Sequence, residues 1–134
     1  MTDKPPIDRA TMCFACGPDN PIGLHISFTM ENGKCTGSFT PDENHVGFND
    51  TVHGGIIFSA LDDVMANLLY LQGIKAHTAR CEIRYRKASK VGQQLNLVSR
   101  VLNERRRLVV LKGEARIAGS DELVAESEAS FMLE

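Results

Sequence analysis

Apolar and polar residues alternate along much of this chain, and the stretches where the alternation stops are equally informative. Leu24, Ile26, Phe28 and Met30 interleave with His25, Ser27, Thr29 and Glu31, the two-residue period of a strand with one buried face. Asn32-Gly33 follows as a strong hairpin signal, and the run from Lys34 to Thr40 is predicted to pair back as a second strand. From Pro41 to Val52 the chain is polar and rich in turn formers. Gly54 to Leu71 is then apolar nearly all round and free of proline, which predicts a buried helix with its cap near Gly73. Four more strands are predicted over 77–88, 93–103, 105–118 and 122–133, divided by turn signals at Gly92, Asn103 to Arg106 and Gly119-Ser120-Asp121. In the first of these, Ala79, Cys81, Ile83 and Tyr85 alternate with Arg80, Glu82, Arg84 and Arg86, so one face is expected to lie on apolar material. The order ββαββββ indicates an α+β domain in which a mostly antiparallel curved sheet of about six strands wraps one long central helix.

A length of 134 residues suits one domain. Pro5-Pro6 and their polar neighbours suggest an extended N-terminal arm over 1–12, leaving a single globular unit over 13–134. Lys and Arg number 15 against 17 Asp and Glu, so no general field attracts nucleic acid or an anionic membrane, and an anionic ligand needs a local patch. The opening MTDKPPIDRA has no apolar core of signal-peptide length, and the longest apolar stretch is interrupted by Asp62, Asp63 and Asn67. A soluble cytoplasmic protein without nucleic-acid or membrane partners is the expectation.

In a reducing compartment the four cysteines are expected as free thiols. Cys13-Phe14-Ala15-Cys16 has the spacing of half a zinc site, but no second such pair or closely spaced His pair completes it. Cys35, Cys81 or His25 could approach in space; the expectation is a turn carrying two partly buried thiols and no metal.

The predicted helix carries the chemistry. A carboxylate buried without a partner costs several kcal/mol or shifts its pKa upward, yet Asp62 and Asp63 sit together in the middle of it. One or both could simply reach solvent or cap a neighbouring strand. The start of the helix adds a second feature: His53 is followed by Gly54 and Gly55, which let another molecule approach the backbone where first-turn amides are unpaired donors with partial positive charge. Such a terminus can polarise a carbonyl. Asp62 lies eight residues after Gly54, a little over two turns on, and projects from a similar side; an Asp from another subunit could equally face the amide. Asp63 falls on a polar stripe with Ser59 and Asn67, suited to hydrogen bonding across a helix interface.

His53-Gly54-Gly55 followed by an apolar stretch and Leu61-Asp62-Asp63 resembles the signature of the hotdog-fold thioesterases, the hydroxybenzoyl-CoA and phenylacetate-pathway superfamily. The opening from Cys13 to Leu24 resembles the N-terminal motif of one branch, and His45-Val46-Gly47-Phe48 and Glu82-Ile83-Arg84-Tyr85-Arg86 also fit. The resemblance implies a hotdog fold and an acyl-CoA hydrolase without metal or cofactor, CoA being part of the substrate. It also implies a homodimer or a dimer-of-dimers tetramer with active sites between subunits. By position, Asp62 matches the acidic residue that acts as general base or nucleophile, Gly54 the amide that polarises the thioester, and Thr78 a hydroxyl that orients water or the carboxylate in some members. Many members carry Asn or Gln where this chain has Gly47; Asn49 is the candidate substitute and His45 a second, unless the site works without that amide.

Thioester hydrolysis needs an oxyanion site and a group that delivers water or attacks the acyl carbon, and a helix N-terminus plus one carboxylate supplies both. The G-x-S-x-G nucleophile elbow is missing. His53 reads as fixing the loop before the helix and not as a proton carrier, and His53, Gly55 and His45 are expected to bind substrate. Arg84, Arg86 and Lys87, with Lys90 and Arg105 to Arg107, are candidates for the CoA phosphates, although a solvated strand face explains any one of them. A fatty-acid dehydratase would place His in a Pro/Gly-rich loop with Glu on the helix, and a non-catalytic acyl-CoA-binding protein would use the same pocket without turnover.

Overall fold

The computed structural model describes residues 10–134. Residues 1–9 of the expected arm lie outside the described residues, and Ala10–Met12 form a single 3-10 turn. Strands β1 (Ser27–Glu31) and β2 (Lys34–Phe39) form the expected hairpin. Asn32 and Gly33 take φ of 52° and 78°, the paired left-handed geometry that lets two residues reverse a twisted ribbon. The predicted strand begins at Leu24, whereas the ladder begins at Ser27, because His25 turns the chain at φ 55°. Leu24 and Ile26 remain core residues. Their amides donate instead to Phe14 O and Ala15 O, at 2.8 and 2.9 Å, and so dock the cysteine turn onto the body of the protein.

The polar segment after β2 is more ordered than its composition predicts. A 3-10 turn over Glu43–His45 is capped by Asp42 and leads into a small hairpin, β3 (Val46–Phe48) and β4 (Thr51–Val52), whose turn residue Asn49 has φ 53°. The strands are too short and too exposed to carry a period. The hairpin is held by Val52, which is buried and donates its amide to Ser89 O at 2.9 Å.

Helix α1 (Gly54–Tyr70) lies against a six-stranded sheet completed by β5 (Ala76–Tyr85), β6 (Leu95–Arg105), β7 (Leu108–Ile117) and β8 (Leu123–Leu133). The strand order is β1-β2-β6-β7-β8-β5, antiparallel at every pairing. The helix touches all six strands, so the sheet wraps it. Ile57, Ala60, Leu61, Val64, Met65, Leu68 and Leu69 are buried on the helix, opposite Val109, Leu111, Ala115 and Ile117 of β7; each large side chain so buried contributes roughly 1.5–3 kcal/mol. At Gly113 a Cβ would stand 2.8 Å from Ser127 Oγ and 3.2 Å from Met65 Cγ. The chain leaves the helix through Gly73 at φ 78°, and Ile74 N donates to Leu69 O at 3.0 Å, a left-handed C-terminal cap.

One strand departs from its sequence pattern in a way that matters for the site. The register between β5 and β8 slips between Thr78 and Arg80, leaving Ala79 as an extra residue. A bulge of one residue reverses the facing of everything before it. Cys81 and Ile83 pack on the core as the alternation predicts, but so does Ala76, while Ala79 is exposed. Thr78, placed by the alternation on the outer face, instead turns toward the helix. No helix among the described residues is long and apolar enough to cross a membrane.

Candidate active site

The first turn of α1 is fixed by the residues before it. His53 is its N-cap, with Nδ1 accepting from Gly55 N at 2.8 Å, and His53 N donates to His45 O at 2.8 Å. The Ile56 and Ile57 amides donate to His53 O. The Gly54 amide, by contrast, has no hydrogen-bond partner among the described residues, so the positive end of the helix presents one unused donor there. Gly54 O accepts from the Tyr85 hydroxyl at 2.7 Å, and a Cβ on Gly54 would stand 3.2 Å from that oxygen. Tyr85 thus clamps the opening of the helix from β5, a contact between residues 31 apart in sequence that no local signal announces. Burial, then the neighbouring Cys81, pushes its phenol above the usual range.

Two turns on, Asp62 is half-buried. Its Oδ1 accepts from Thr78 Oγ1 at 2.9 Å, a contact made possible by the Ala79 bulge. Cys81 lies on the same side of β5; burial, with Asp62 and Glu82 adding like charge, pushes its thiol up to about 11.

The adjacent Asp63 faces elsewhere. Its Oδ1 accepts from Cys13 Sγ at 3.6 Å and its Oδ2 from Asn67 Nδ2 at 3.0 Å. Burial raises its pKa above the usual carboxylate range, the Cys16, Cys13 and Asn67 hydrogen bonds pull it back down, and the Asp62 charge raises it. The polar stripe expected on this side is therefore divided. Ser59 donates to Gly55 O at 2.9 Å within the helix, and Asp63 and Asn67 serve the cysteine turn. Burial and the Asp63 carboxylate push the Cys16 thiol up.

The remaining candidates are dispersed. His45 Nδ1 accepts from Asp42 N at 2.9 Å and closes the cap of the 3-10 turn, so its ring is engaged in local structure. A Cβ on Gly47 would stand 2.9 Å from His53 Cα; no larger side chain fits there with His53 in its place. Asn49 is exposed at the tip of the β3–β4 hairpin, and no hydrogen bond joins it to Asp62, Thr78 or Gly54 among the described residues. Arg86 pairs with Glu126 at 2.8 Å, and Lys112 joins the same carboxylate at 3.3 Å. Lys87 pairs with Glu122, and both glutamates have their pKa lowered, chiefly by hydrogen bonds from these cations. Arg84 lines a polar hollow of about 290 Å³ with Glu82, Arg86, Lys112 and Glu126. Arg86 and Lys87 thus already have carboxylate partners on the outside of the sheet.

The sequence profile of the thioesterase superfamily matches residues 49–124, a span that runs from the β3–β4 turn through α1 into β8. No curated protein sequence matches the chain. Solved structures with the same architecture include a hypothetical thioesterase from Streptococcus pneumoniae with coenzyme A, 16% identical, with a TM-score of 0.76 over 81% of this chain and 85% of that one. The PaaI protein of the phenylacetic acid degradation operon of E. coli is 21% identical, with a TM-score of 0.77 over 83% and 80%. Zebrafish thioesterase superfamily member 2 is 20% identical, with a TM-score of 0.77 over 94% and 92%. The helix and its antiparallel sheet are the hotdog fold.

Proposed function

Because the chain belongs to the thioesterase superfamily, we propose that it hydrolyses an acyl-CoA thioester to the free acid and CoA, using the Gly54 amide and Asp62. The observation that carries this reading is the pairing of an unused helix N-terminal amide at Gly54 with a half-buried carboxylate at Asp62 that Thr78 holds in place. Eight residues of helix separate the two by about 12 Å along the axis. A single carbonyl must sit about 3 Å from its polarising donor and within reach of the attacking group, so one chain cannot supply both. The working site therefore combines Gly54 of one protomer with Asp62 of a second in a homodimer or a dimer of dimers. Among the described residues β5 is an edge strand of ten residues, paired on one side only, and Val46, Phe48 and Tyr85 near the helix start are 42, 77 and 51% exposed. Both features fit a second copy on this side.

In the proposed reaction the thioester oxygen accepts from the Gly54 amide, and Asp62 takes a proton from water as its oxygen adds to the acyl carbon. Collapse of the tetrahedral intermediate breaks the carbon–sulfur bond, and the departing CoA sulfur receives the proton. Direct attack by the carboxylate would give a mixed anhydride that water then opens; the same two groups serve both routes. Thr78 orients the carboxylate in either. No metal or further cofactor enters, and the free thiols suit a cytoplasmic setting. The Streptococcus pneumoniae structure with coenzyme A lends support to CoA as the carrier.

The test is release of free thiol from a panel of short, long and aromatic acyl-CoAs. Turnover with at least one of them is expected. Binding without thiol release would replace the hydrolase with an acyl-CoA-binding protein, and a hydrated product still carrying its thioester would make it a hydratase.

A further inference from the structure

Cys13, Cys16 and Asp63 form a cluster for which thioester hydrolysis has no use. One ligand-capable atom from each, two Sγ and a carboxylate oxygen, lie within 4.8 Å of one another, and all three residues are half-buried. The thiols are held by a tight turn. Gly17 N donates to Cys13 O at 2.8 Å, and a Cβ on Gly17 would stand 2.4 Å from both Cys13 N and Thr11 O, so the turn needs glycine directly after the second cysteine. The amides of Leu24 and Ile26 grip the same turn from behind at Phe14 O and Ala15 O. Asp63 is presented by the rigid middle of α1, and Asn67 one turn later donates to its Oδ2 at 3.0 Å and lies 3.8 Å from Cys16 Sγ. Each donor is therefore positioned by contacts outside the cluster as well as within it.

We propose that Cys13 Sγ, Cys16 Sγ and one Asp63 carboxylate oxygen bind a thiophilic divalent cation, Zn²⁺ foremost, with its fourth position open to the adjoining cavity. Two sulfurs and one oxygen make a borderline-soft donor set that suits Zn²⁺ and not the hard cations Ca²⁺ or Mg²⁺. The spacing of the Cys13–Asp63 pair also fits. Metal–sulfur and metal–oxygen bonds of about 2.3 and 2.0 Å at a tetrahedral angle set the two donors about 3.5 Å apart, and Cys13 Sγ lies 3.6 Å from Asp63 Oδ1. Redox CxxC pairs place the attacking thiol beside positive charge or a helix N-terminus; here the ionisable neighbour is a carboxylate from the middle of a helix.

All three donors border a cavity of about 540 Å³, lined also by Tyr70, Lys75 and Glu134, which leaves room for water or a small ligand on the ion. Binding forms two metal–sulfur bonds and one metal–oxygen bond and releases the thiol protons to solvent. The ion would pin the cysteine turn to α1 at the residue next to Asp62. Metal binding at this cluster stands apart from hydrolysis, since it is read as bound metal and not as turnover.

The test uses the full chain, purified without a metal-affinity step, reduced, freed of metal by chelator and titrated with Co²⁺. One Co²⁺ per chain is expected, with thiolate-to-cobalt charge transfer and intense tetrahedral d–d bands, displaced by Zn²⁺ with a rise in the thermal midpoint. Cys13→Ser and Cys16→Ser should each abolish binding or halve the charge-transfer intensity per ion. Asp63→Asn should weaken binding at least tenfold, while Asp62→Asn leaves the titration unchanged. A reduced wild-type chain that takes up no Co²⁺ overturns the proposal, whatever the variants do. So does a spectrum indifferent to both cysteine substitutions, or affinity undiminished in Asp63→Asn. A native chain two hydrogens lighter than reduced protein that also takes up no metal after reduction would assign the pair to a disulfide instead.

Discussion

Asp62 and Asp63 are neighbours in sequence with the same side chain, and the helix gives them separate surroundings by rotating one about 100° from the other. Asp62 meets a hydroxyl from β5, and Asp63 meets a thiol from the N-terminal turn and an amide from its own helix. The two substitutions should therefore separate. Asp62→Asn is expected to lower kcat by about 10²–10⁴-fold, the usual worth of general-base assistance, with oligomer size and thermal midpoint retained. Asp63→Asn should change turnover by much less. Steady-state kinetics on the best substrate of the panel checks both, and survival of Asp62→Asn beside loss in Asp63→Asn would mean the wrong carboxylate was assigned. The Gly54 amide can be removed as cleanly. Proline is well suited to the first helical position but has no N–H, and His53 already has the extended backbone, φ −60° and ψ 131°, that a following proline requires. Gly54→Pro should cost about 10²–10³-fold in kcat, as loss of an oxyanion donor does, whereas Gly54→Ala, with the same Cβ against Tyr85 but its amide intact, should cost far less. Equal losses would put the effect on the Tyr85 contact. A carboxylate inside an apolar helix is out of place, which singles out Asp62 and Asp63 alike in the sequence. The partners of Asp63 are not legible there, since Cys13 stands 50 residues away and nothing in the spacing points from one to the other.

At the level of elements, a strong period makes a segment readable and a short or broken one hides it. The helix, the Asn32-Gly33 hairpin and the four later strands lie close to where apolar periodicity and turn residues put them. The β3–β4 hairpin and the early end of the Leu24 to Met30 pattern escape it, because each depends on one non-glycine residue, Asn49 or His25, taking a left-handed backbone. The Ala79 bulge is subtler. The alternation from Ala79 to Tyr85 is real, but it reports only the strand beyond the bulge and assigns Ala79 and Thr78 to the wrong faces. At Gly113, Ser127 of the neighbouring strand and Met65 of the helix fill the space that a side chain would need. Gly113→Ala is expected to destabilise the protein by about 1–3 kcal/mol through overpacking. Urea unfolding should show a lower midpoint with an unchanged slope; a variant as stable as wild type would mean that the Ser127 and Met65 side chains yield without penalty.

For the whole molecule, the question is whether one chain contains a complete site. In the proposed geometry the roughly 12 Å of helix between Gly54 and Asp62 assigns the two groups to different protomers, and mixing two inactive variants tests this without knowledge of the substrate pose. In a composite site, a dimer of one Asp62→Asn chain and one Gly54→Pro chain has one site with both lesions and one with neither. Random exchange puts half of the chains in such mixed dimers, so about a quarter of wild-type sites should return. If each site were built within a single chain, every chain would carry a lesion and no activity would return at any mixing ratio. The variants should be co-expressed with distinguishable tags, or unfolded and refolded together, and activity followed against the fraction of mixed oligomer isolated. A linear rise from the background of each parent is the expected result. A flat line, with mixed oligomers present, would require both groups to act within one protomer and the proposed geometry to be abandoned.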